Sequence, residues 1–148
     1  MNKYIGCKLI EAEKGNRSAV YPVLTGKMDE EGYVVKYPDG YVSWSPKEVF
    51  EKAYLKVDDN KNLPSGVSIG ADMVEDFIAY YESITMGECT TVVRCVLRNG
   101  FELIESSACV DPKNYSEKMG TEICMKKIRD KVWELLGFLL QTAYHGMK

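Results

Sequence analysis

The chain has 148 residues, of which 45% are hydrophobic and 28% charged, and its formal net charge is −3. This composition is typical of a globular protein and excludes a fibrous or intrinsically disordered chain. Residues 67–110 contain two basic against seven acidic side chains, and no part of the chain is strongly basic. We therefore expect no generic DNA binding, which depends on many phosphate contacts.

Two further features limit the chemistry and the location of the protein. No apolar run reaches membrane-helix length, and the N-terminus lacks the apolar centre of a signal peptide, so we expect no membrane association. The five cysteines form no Cys-x-x-Cys pair, and the only histidine is His145, near the end of the chain. We therefore expect reduced cysteines, no metal, no cofactor and no catalytic residues.

The N-terminal residues give weak structural signals. Residues 4–10 predict a strand, and residues 14–17 predict a charged loop. The apolar residues 19–24 include Pro22, which cannot donate a strand hydrogen bond, so we expect this patch at a sheet edge or in a loop.

A β-hairpin is predicted by Pro38-Asp39-Gly40, which lies between residues 32–37 and 41–44. A three-residue connection with glycine last fits a type I turn followed by a left-handed residue. Its register pairs Val34 with Trp44, and we expect Trp44 in the core. On the opposite face, Tyr37 and Tyr41 are open to two interpretations: a surface for a ligand or partner, or packing within the protein.

A short helix and a module boundary follow the hairpin. Ser45-Pro46-Lys47-Glu48 predicts a capping box with proline at the first helical position, and a helix to about residue 55. The polar residues 57–66 end in proline and glycine and predict a linker. We therefore divide the chain into an N-terminal module at 1–56, a linker at 57–66 and a second module at 67–148.

The second module predicts a helix, a hairpin and a long C-terminal helix. Helical spacing of apolar residues begins at Met73 and continues to Tyr81. Asn99-Gly100 predicts a two-residue hairpin loop, which sets Arg94 opposite Glu105. The C-terminal helix reaches about residue 144, and its predicted apolar stripe is Cys124, Met125, Ile128, Val132, Leu135, Leu136 and Leu139. The fold class is thus α+β, with two small modules of β-hairpin plus helix.

The candidate binding residues are cationic, amide or aromatic side chains. If the long helix packs beside the Arg94 face of the hairpin, several cations converge on one place, where they could bind phosphates. The alternative is that Arg94 pairs with Glu105 while the lysines are solvated. The candidate ligand-binding residues are Arg94, Arg98, Asn99, Lys126, Lys127, Arg129, Tyr37 and Tyr41.

Both halves of the chain resemble phage proteins. In the second half, the matching segments are VLRNGF at 96–101, ESSACVDPKNY at 105–115, Ile128, Trp133 and LGFLL at 136–140. They resemble a family of small tailed-phage proteins represented in coliphage N-four and Shigella phage Sf-six. In the first half, YIG at 4–6, GYVV at 32–35 and DGYVSWSPKEVF at 39–50 resemble a phage module that is also found attached to domains of the Thoeris anti-defence type.

The resemblance implies a phage or prophage accessory protein in the host bacterial cytoplasm, and it supplies no catalytic motif. We predict a non-enzymatic counter-defence protein that binds and sequesters a small nucleotide immune signal, of the cyclic oligonucleotide or cyclic ADP-ribose type. The alternative is a module that binds and inhibits a host enzyme or defence protein, with the tyrosine face as its anchor, and a hydrolase of the same signal is a third possibility. Because small cores are marginal alone, we also predict a homo-oligomer.

Overall fold

The computed structural model describes residues 1–23 and 26–148. Its mixture of small antiparallel sheets and helices confirms the predicted α+β class. The chain forms two compact units. The N-terminal unit comprises residues 1–56 together with 139–148, and the second unit comprises residues 57–138.

A three-stranded antiparallel sheet forms the N-terminal unit, with strands β1 (Glu11–Asn16), β2 (Glu31–Lys36) and β3 (Val42–Pro46) in that order. The strand predicted at 4–10 is wrong, and β1 occupies most of the predicted charged loop. An edge strand has a neighbour on one side only, so its charged side chains remain in water. Of the apolar patch at 19–24, residues 20–23 form no strand and Leu24 lies outside the described residues.

The first hairpin turn confirms the predicted register. Val34 lies opposite Trp44, and the Tyr37 N–H donates to the Tyr41 carbonyl at 2.9 Å. Gly40 has a φ of 89°, which is the left-handed conformation that the three-residue turn requires. The sequence therefore determines the geometry of this turn.

The buried side of this sheet is the tyrosine face rather than the Trp44 face. Val35 is 1% exposed, and Tyr33, on the same face, stacks on Phe50 with ring centroids 4.1 Å apart. Trp44 is half-buried, and its indole N–H donates to the Gly15 carbonyl at 2.9 Å. A Cβ built on Gly32 would lie 2.7 Å from the Trp44 ring, so the indole covers bare backbone instead of entering the core.

Helix α1 (Lys47–Ala53) begins without the predicted capping box. Pro46 is the N-cap residue and still belongs to β3, where it lies opposite Gly32. No side chain caps the N-terminus of α1. Because the β2–β3 ladder continues through Pro46, Ser45 remains a strand residue and its hydroxyl lies 3.5 Å from the Pro46 carbonyl.

The second unit begins with short elements inside and beside the predicted linker. Strand β4 (Asp58–Asp59) pairs with β5 (Val67–Ser68), and the Asn60 N–H donates to the Gly66 carbonyl at 2.7 Å. Helix α2 (Ala71–Phe77) follows, with Met73 and Val74 buried as predicted. Residues 57–66 thus contain hydrogen-bonded structure.

A second three-stranded antiparallel sheet has the order β6 (Ile78–Met86), β7 (Thr90–Leu97) and β8 (Glu102–Ala108). Strand β6 lies where the helix was predicted to continue, so that part of the prediction is wrong. Pairing with β7 along nearly its whole length provides backbone hydrogen bonds that outweigh the local helical spacing.

The register of the second hairpin differs from the prediction by one residue. The Leu97 N–H donates to the Phe101 carbonyl at 2.9 Å, so the loop contains three residues. Gly100, with a φ of 86°, is the left-handed third residue. Arg94 consequently lies opposite Ile104 rather than Glu105. The loop has the same form as the turn at Gly40.

Helix α3 (Glu117–His145) covers one face of the second sheet. Cys124 contacts both the Thr91 carbonyl and the Ser107 hydroxyl, which places α3 on the side of the odd-numbered β7 residues. The predicted stripe is buried at Cys124, Met125, Ile128, Val132 and Leu136. Leu135 and Leu139, in contrast, are 39% and 44% exposed.

Candidate functional site

The second sheet has one face that α3 does not cover. Because side chains alternate along a strand, the register of β6–β8 assigns the even-numbered residues to this side. We call it the open sheet face, and its main residues are Tyr80, Glu82, Ile84, Met86, Val92, Arg94, Val96, Glu102 and Ile104.

Four of the apolar side chains on the open sheet face are exposed, whereas Val96 is buried. The exposed fractions are 53% for Tyr80, 55% for Ile84, 56% for Met86 and 60% for Ile104. An antiparallel sheet with one packed face normally carries polar residues on its solvated face. The clustering of apolar residues here is therefore the kind of surface that marks an interaction site.

A short row of ion pairs crosses the centre of the open sheet face. Arg94 Nη1 lies 2.6 Å from Glu82 Oε1, and Arg94 Nε donates to Glu102 Oε2 at 3.1 Å. The hydrogen bonds to Glu102, and then those to other neighbours, raise the pKa of Arg94, while Arg94 lowers the pKa of Glu102. Two carboxylates surround one guanidinium, so the row retains a net negative charge.

The predicted pairing of Arg94 with Glu105 is wrong because the register of the hairpin differs from the predicted register by one residue. Glu105 projects from the opposite face and forms an ion pair with Lys131 of α3. The hydrogen bond from Lys131 holds the pKa of Glu105 below its usual value. Glu105 is thus paired with a cation on the side of the sheet that α3 covers, whereas Glu82 and Glu102 share Arg94 on the open sheet face.

The predicted cation cluster is not brought together. Arg94 lies on the open sheet face, whereas α3 packs against the other face. Arg129 pairs with Glu75, and Lys127 donates to the Ser106 carbonyl at 2.8 Å. Lys126 and Arg98 are exposed, and Asn99 accepts the Phe101 N–H at 3.0 Å as part of the turn.

The two candidate tyrosines lie in the N-terminal unit. The Tyr37 and Tyr41 rings are stacked with their centroids 5.9 Å apart, and Lys8 Nζ lies 4.3 Å from the centre of the Tyr37 ring. Burial, followed by the neighbouring Tyr37, raises the pKa of Tyr54. Tyr37 therefore contacts other side chains of the N-terminal unit, whereas Tyr41 is 60% exposed.

A cavity in the N-terminal unit was not predicted from the sequence. Its volume is about 350 Å³, and its lining residues are Lys14, Gly15, Asn16, Glu31, Gly32, Tyr33 and Lys47. Lys14 and Asn16 face it because β1 is a strand there and not the expected loop. The Tyr33 hydroxyl donates to Glu51 at 2.9 Å, and this hydrogen bond raises the pKa of Tyr33.

A metal-binding cluster and a membrane-spanning helix are both absent from the described residues, 1–23 and 26–148. Their histidine, cysteine, aspartate and glutamate side chains form no group of three or more that could hold a metal ion. Among the same residues, no helix is both long and apolar enough to cross a membrane.

The comparisons with known proteins identify the family. Residues 69–144, just over half of the chain, match the model of the phage protein (N4 Gp49/phage Sf6 gene 66) family. The chain belongs to this family, which confirms the resemblance of the second half, and it is therefore a phage protein. The match does not reach residues 1–68, so the resemblance of the first half stays a prediction. No curated protein and no solved structure matches the chain.

Proposed function

We propose that this phage protein is a non-enzymatic interaction module that acts in the host cytoplasm, where it binds a host protein through the open sheet face. The observation that carries the proposal is the exposure of Tyr80, Ile84, Met86 and Ile104 on one side of a single sheet. Burying such a patch provides a favourable binding free energy of roughly 25 cal/mol per Å² of apolar surface, before association costs are subtracted.

The charge of the open sheet face restricts the partner. Glu82 and Glu102 flank Arg94, so phosphate groups would meet two carboxylates among apolar side chains. A protein surface with apolar residues and a lysine or arginine at its rim is the complementary chemistry. We therefore expect a partner of this kind, such as a host defence protein, rather than a nucleotide at this face.

A crosslinking residue placed at Ile104 should capture the partner in infected or expressing host cells, and the same residue at Ile123 should not. These two isoleucines are 60% and 50% exposed, but Ile123 lies on α3. With the purified pair, Ile104→Glu should weaken binding at least tenfold, about 1.4 kcal/mol, because an apolar contact is lost and the new carboxylate has to be desolvated in the interface. Ile123→Glu should change the affinity less than about twofold.

Two outcomes would contradict a host partner at this face. Equal weakening by both glutamate variants would place the interface elsewhere. Sedimentation that shows a dimer of this chain, dissociated by Ile104→Glu, would assign the face to a second copy and support the predicted homo-oligomer instead.

A second candidate function, sequestration of a small nucleotide signal, is favoured by the cavity in the N-terminal unit. Lys14 and Lys47 line it together with Asn16, and they outnumber its one acid, Glu31. Its volume of about 350 Å³ lies in the range of small-molecule sites. Two ammonium groups are suitable partners for a phosphate, and the Tyr33 ring offers an apolar wall.

Equilibrium binding of cyclic oligonucleotides and cyclic ADP-ribose derivatives tests this second candidate. If it is correct, the combined change Lys14→Ala and Lys47→Ala should weaken binding at least tenfold, while Lys36→Ala should not. Lys36 is the control because it lies in β2 but outside the lining of the cavity. Heat denaturation should then release intact ligand; an altered ligand would indicate a hydrolase, and no binding would exclude sequestration of these signals.

A further inference from the structure

Two of the five cysteines face each other at the end of the second sheet. Cys89 directly precedes β7, and Cys109 directly follows β8. Thr90 lies opposite Ala108, so the cysteines form the next cross-strand pair, and the Cys109 N–H donates to the Cys89 carbonyl at 3.0 Å. Both side chains therefore project from the same face of the hairpin.

The backbone separation at this position fits a disulfide. Hydrogen-bonded cross-strand pairs place their Cα atoms about 5.5 Å apart, which is inside the range of about 4.4–6.8 Å found for bridged cysteines. The Cys109 thiol also lies 3.3 Å from the Asp111 carbonyl, at the beginning of the segment that leads to α3. The register of the hairpin is therefore compatible with a bridge between the two sulfur atoms.

The other cysteines of the second unit are shielded. Cys95 and Cys124 are both 0% exposed, whereas Cys89 and Cys109 are half-buried and reachable by a small reagent. Burial, followed by the contact with the Cys109 thiol, raises the pKa of Cys89. A raised pKa slows attack by this thiol at neutral pH but does not prevent the bridge from forming.

We propose that Cys89 and Cys109 form a site of reversible thiol–disulfide exchange with low-molecular-weight disulfides. One thiolate attacks the small disulfide, giving a mixed disulfide and one small thiolate. The second thiolate then attacks the protein sulfur of that mixed disulfide and displaces the other small thiolate. Two protons leave the cysteines and end on the two small thiols, so the protein is oxidised by two electrons and the reagent is reduced.

The bridge would fasten the start of β7 to the end of β8. It closes a loop of about 20 residues that includes the whole β7–β8 hairpin, and such a link removes conformational freedom from the unfolded chain. The oxidised protein should therefore unfold at a higher urea concentration than the reduced protein.

Titration of the reduced full-length protein with mixtures of reduced and oxidised glutathione tests the site. After acid quenching and alkylation under denaturing conditions, the protein should carry three alkyl groups instead of five, with no attached glutathione. Peptide mapping should find Cys89 joined to Cys109. Exchange should become faster as the pH rises, because only the thiolate attacks and the pKa of Cys89 is raised.

Single substitutions provide the controls. Cys109→Ser should leave one glutathione attached at Cys89, whereas Cys7→Ser, which removes the half-buried cysteine of the other unit, should still form the bridge. Peptide mapping of the unsubstituted protein tests for the bridge even if a variant fails to fold. A bridge that includes Cys7, separate glutathione adducts on both cysteines, or no oxidation at all would overturn the proposal.

Discussion

Ile128→Ala is expected to lower the free energy of unfolding by about 3 kcal/mol, the largest effect that we predict for a single substitution. Ile128 is 0% exposed and occupies the middle of the buried stripe of α3, against the second sheet. Truncation removes apolar surface from the core and leaves a cavity that rigid neighbours fill only partly. Ile128→Val should cost less, about 1 kcal/mol, because one methyl group is removed.

The matched control is Ile123→Ala, five residues earlier on the same helix. Ile123 is 50% exposed, so its truncation should change the free energy of unfolding by less than about 0.5 kcal/mol. Urea denaturation followed by far-ultraviolet circular dichroism measures all three variants. If alanine at positions 123 and 128 lowered the free energy of unfolding by similar amounts, the Ile128 side of α3 would not face the core.

The two hairpins show why one register could be predicted and the other could not. Both loops contain three residues and end in a left-handed glycine, Gly40 or Gly100. At Gly40, the fixed φ of Pro38 suits the first position of a type I turn. Pro38 therefore belongs to the loop, and a loop of only two residues is excluded. At Gly100, Asn-Gly also fits a two-residue loop, and nothing in the local sequence reveals that Arg98 joins the loop.

Helix α2 and strand β6 show the limit of periodicity. Met73 and Val74 were correctly placed in a helix, but the same apolar spacing continued through Ile78 and Tyr81, which belong to β6. What decides the change is the backbone pairing of β6 with β7, a contact between two strands that apolar spacing within one segment does not describe. Local spacing carries no information about such a neighbour.

The prediction of the candidate site also depended on contacts between elements, which local spacing does not reveal. The predicted convergence of Arg94 with Lys127 and Arg129 required α3 to pack on the Arg94 face. Instead α3 packs on the opposite face, and the one-residue change in register places Ile104 rather than Glu105 beside Arg94. The open sheet face could not be recognised from the sequence, because β6, which supplies three of its four exposed apolar residues, begins in a segment that was expected to be a helix.

Gly120→Ala is expected to destabilise the protein by about 2 kcal/mol, although alanine is the better helix former. A Cβ at Gly120 would lie 2.1 Å from Thr91 Oγ1 and 2.7 Å from Thr91 Cβ. Thr91 is fully buried and its hydroxyl lies 2.9 Å from the Tyr115 hydroxyl, so it has little room to move. The added methyl group therefore forces the start of α3 away from the sheet.

Gly137→Ala, in the same helix, should have the opposite sign. A Cβ at Gly137 meets nothing within 4 Å, so the only substantial effect is the gain in helix propensity, about 0.5–1 kcal/mol. Urea denaturation should thus give a midpoint below that of the unsubstituted protein for Gly120→Ala and a midpoint above it for Gly137→Ala. Two shifts in the same direction would contradict the close approach of α3 to β7, because that approach is what distinguishes one glycine from the other.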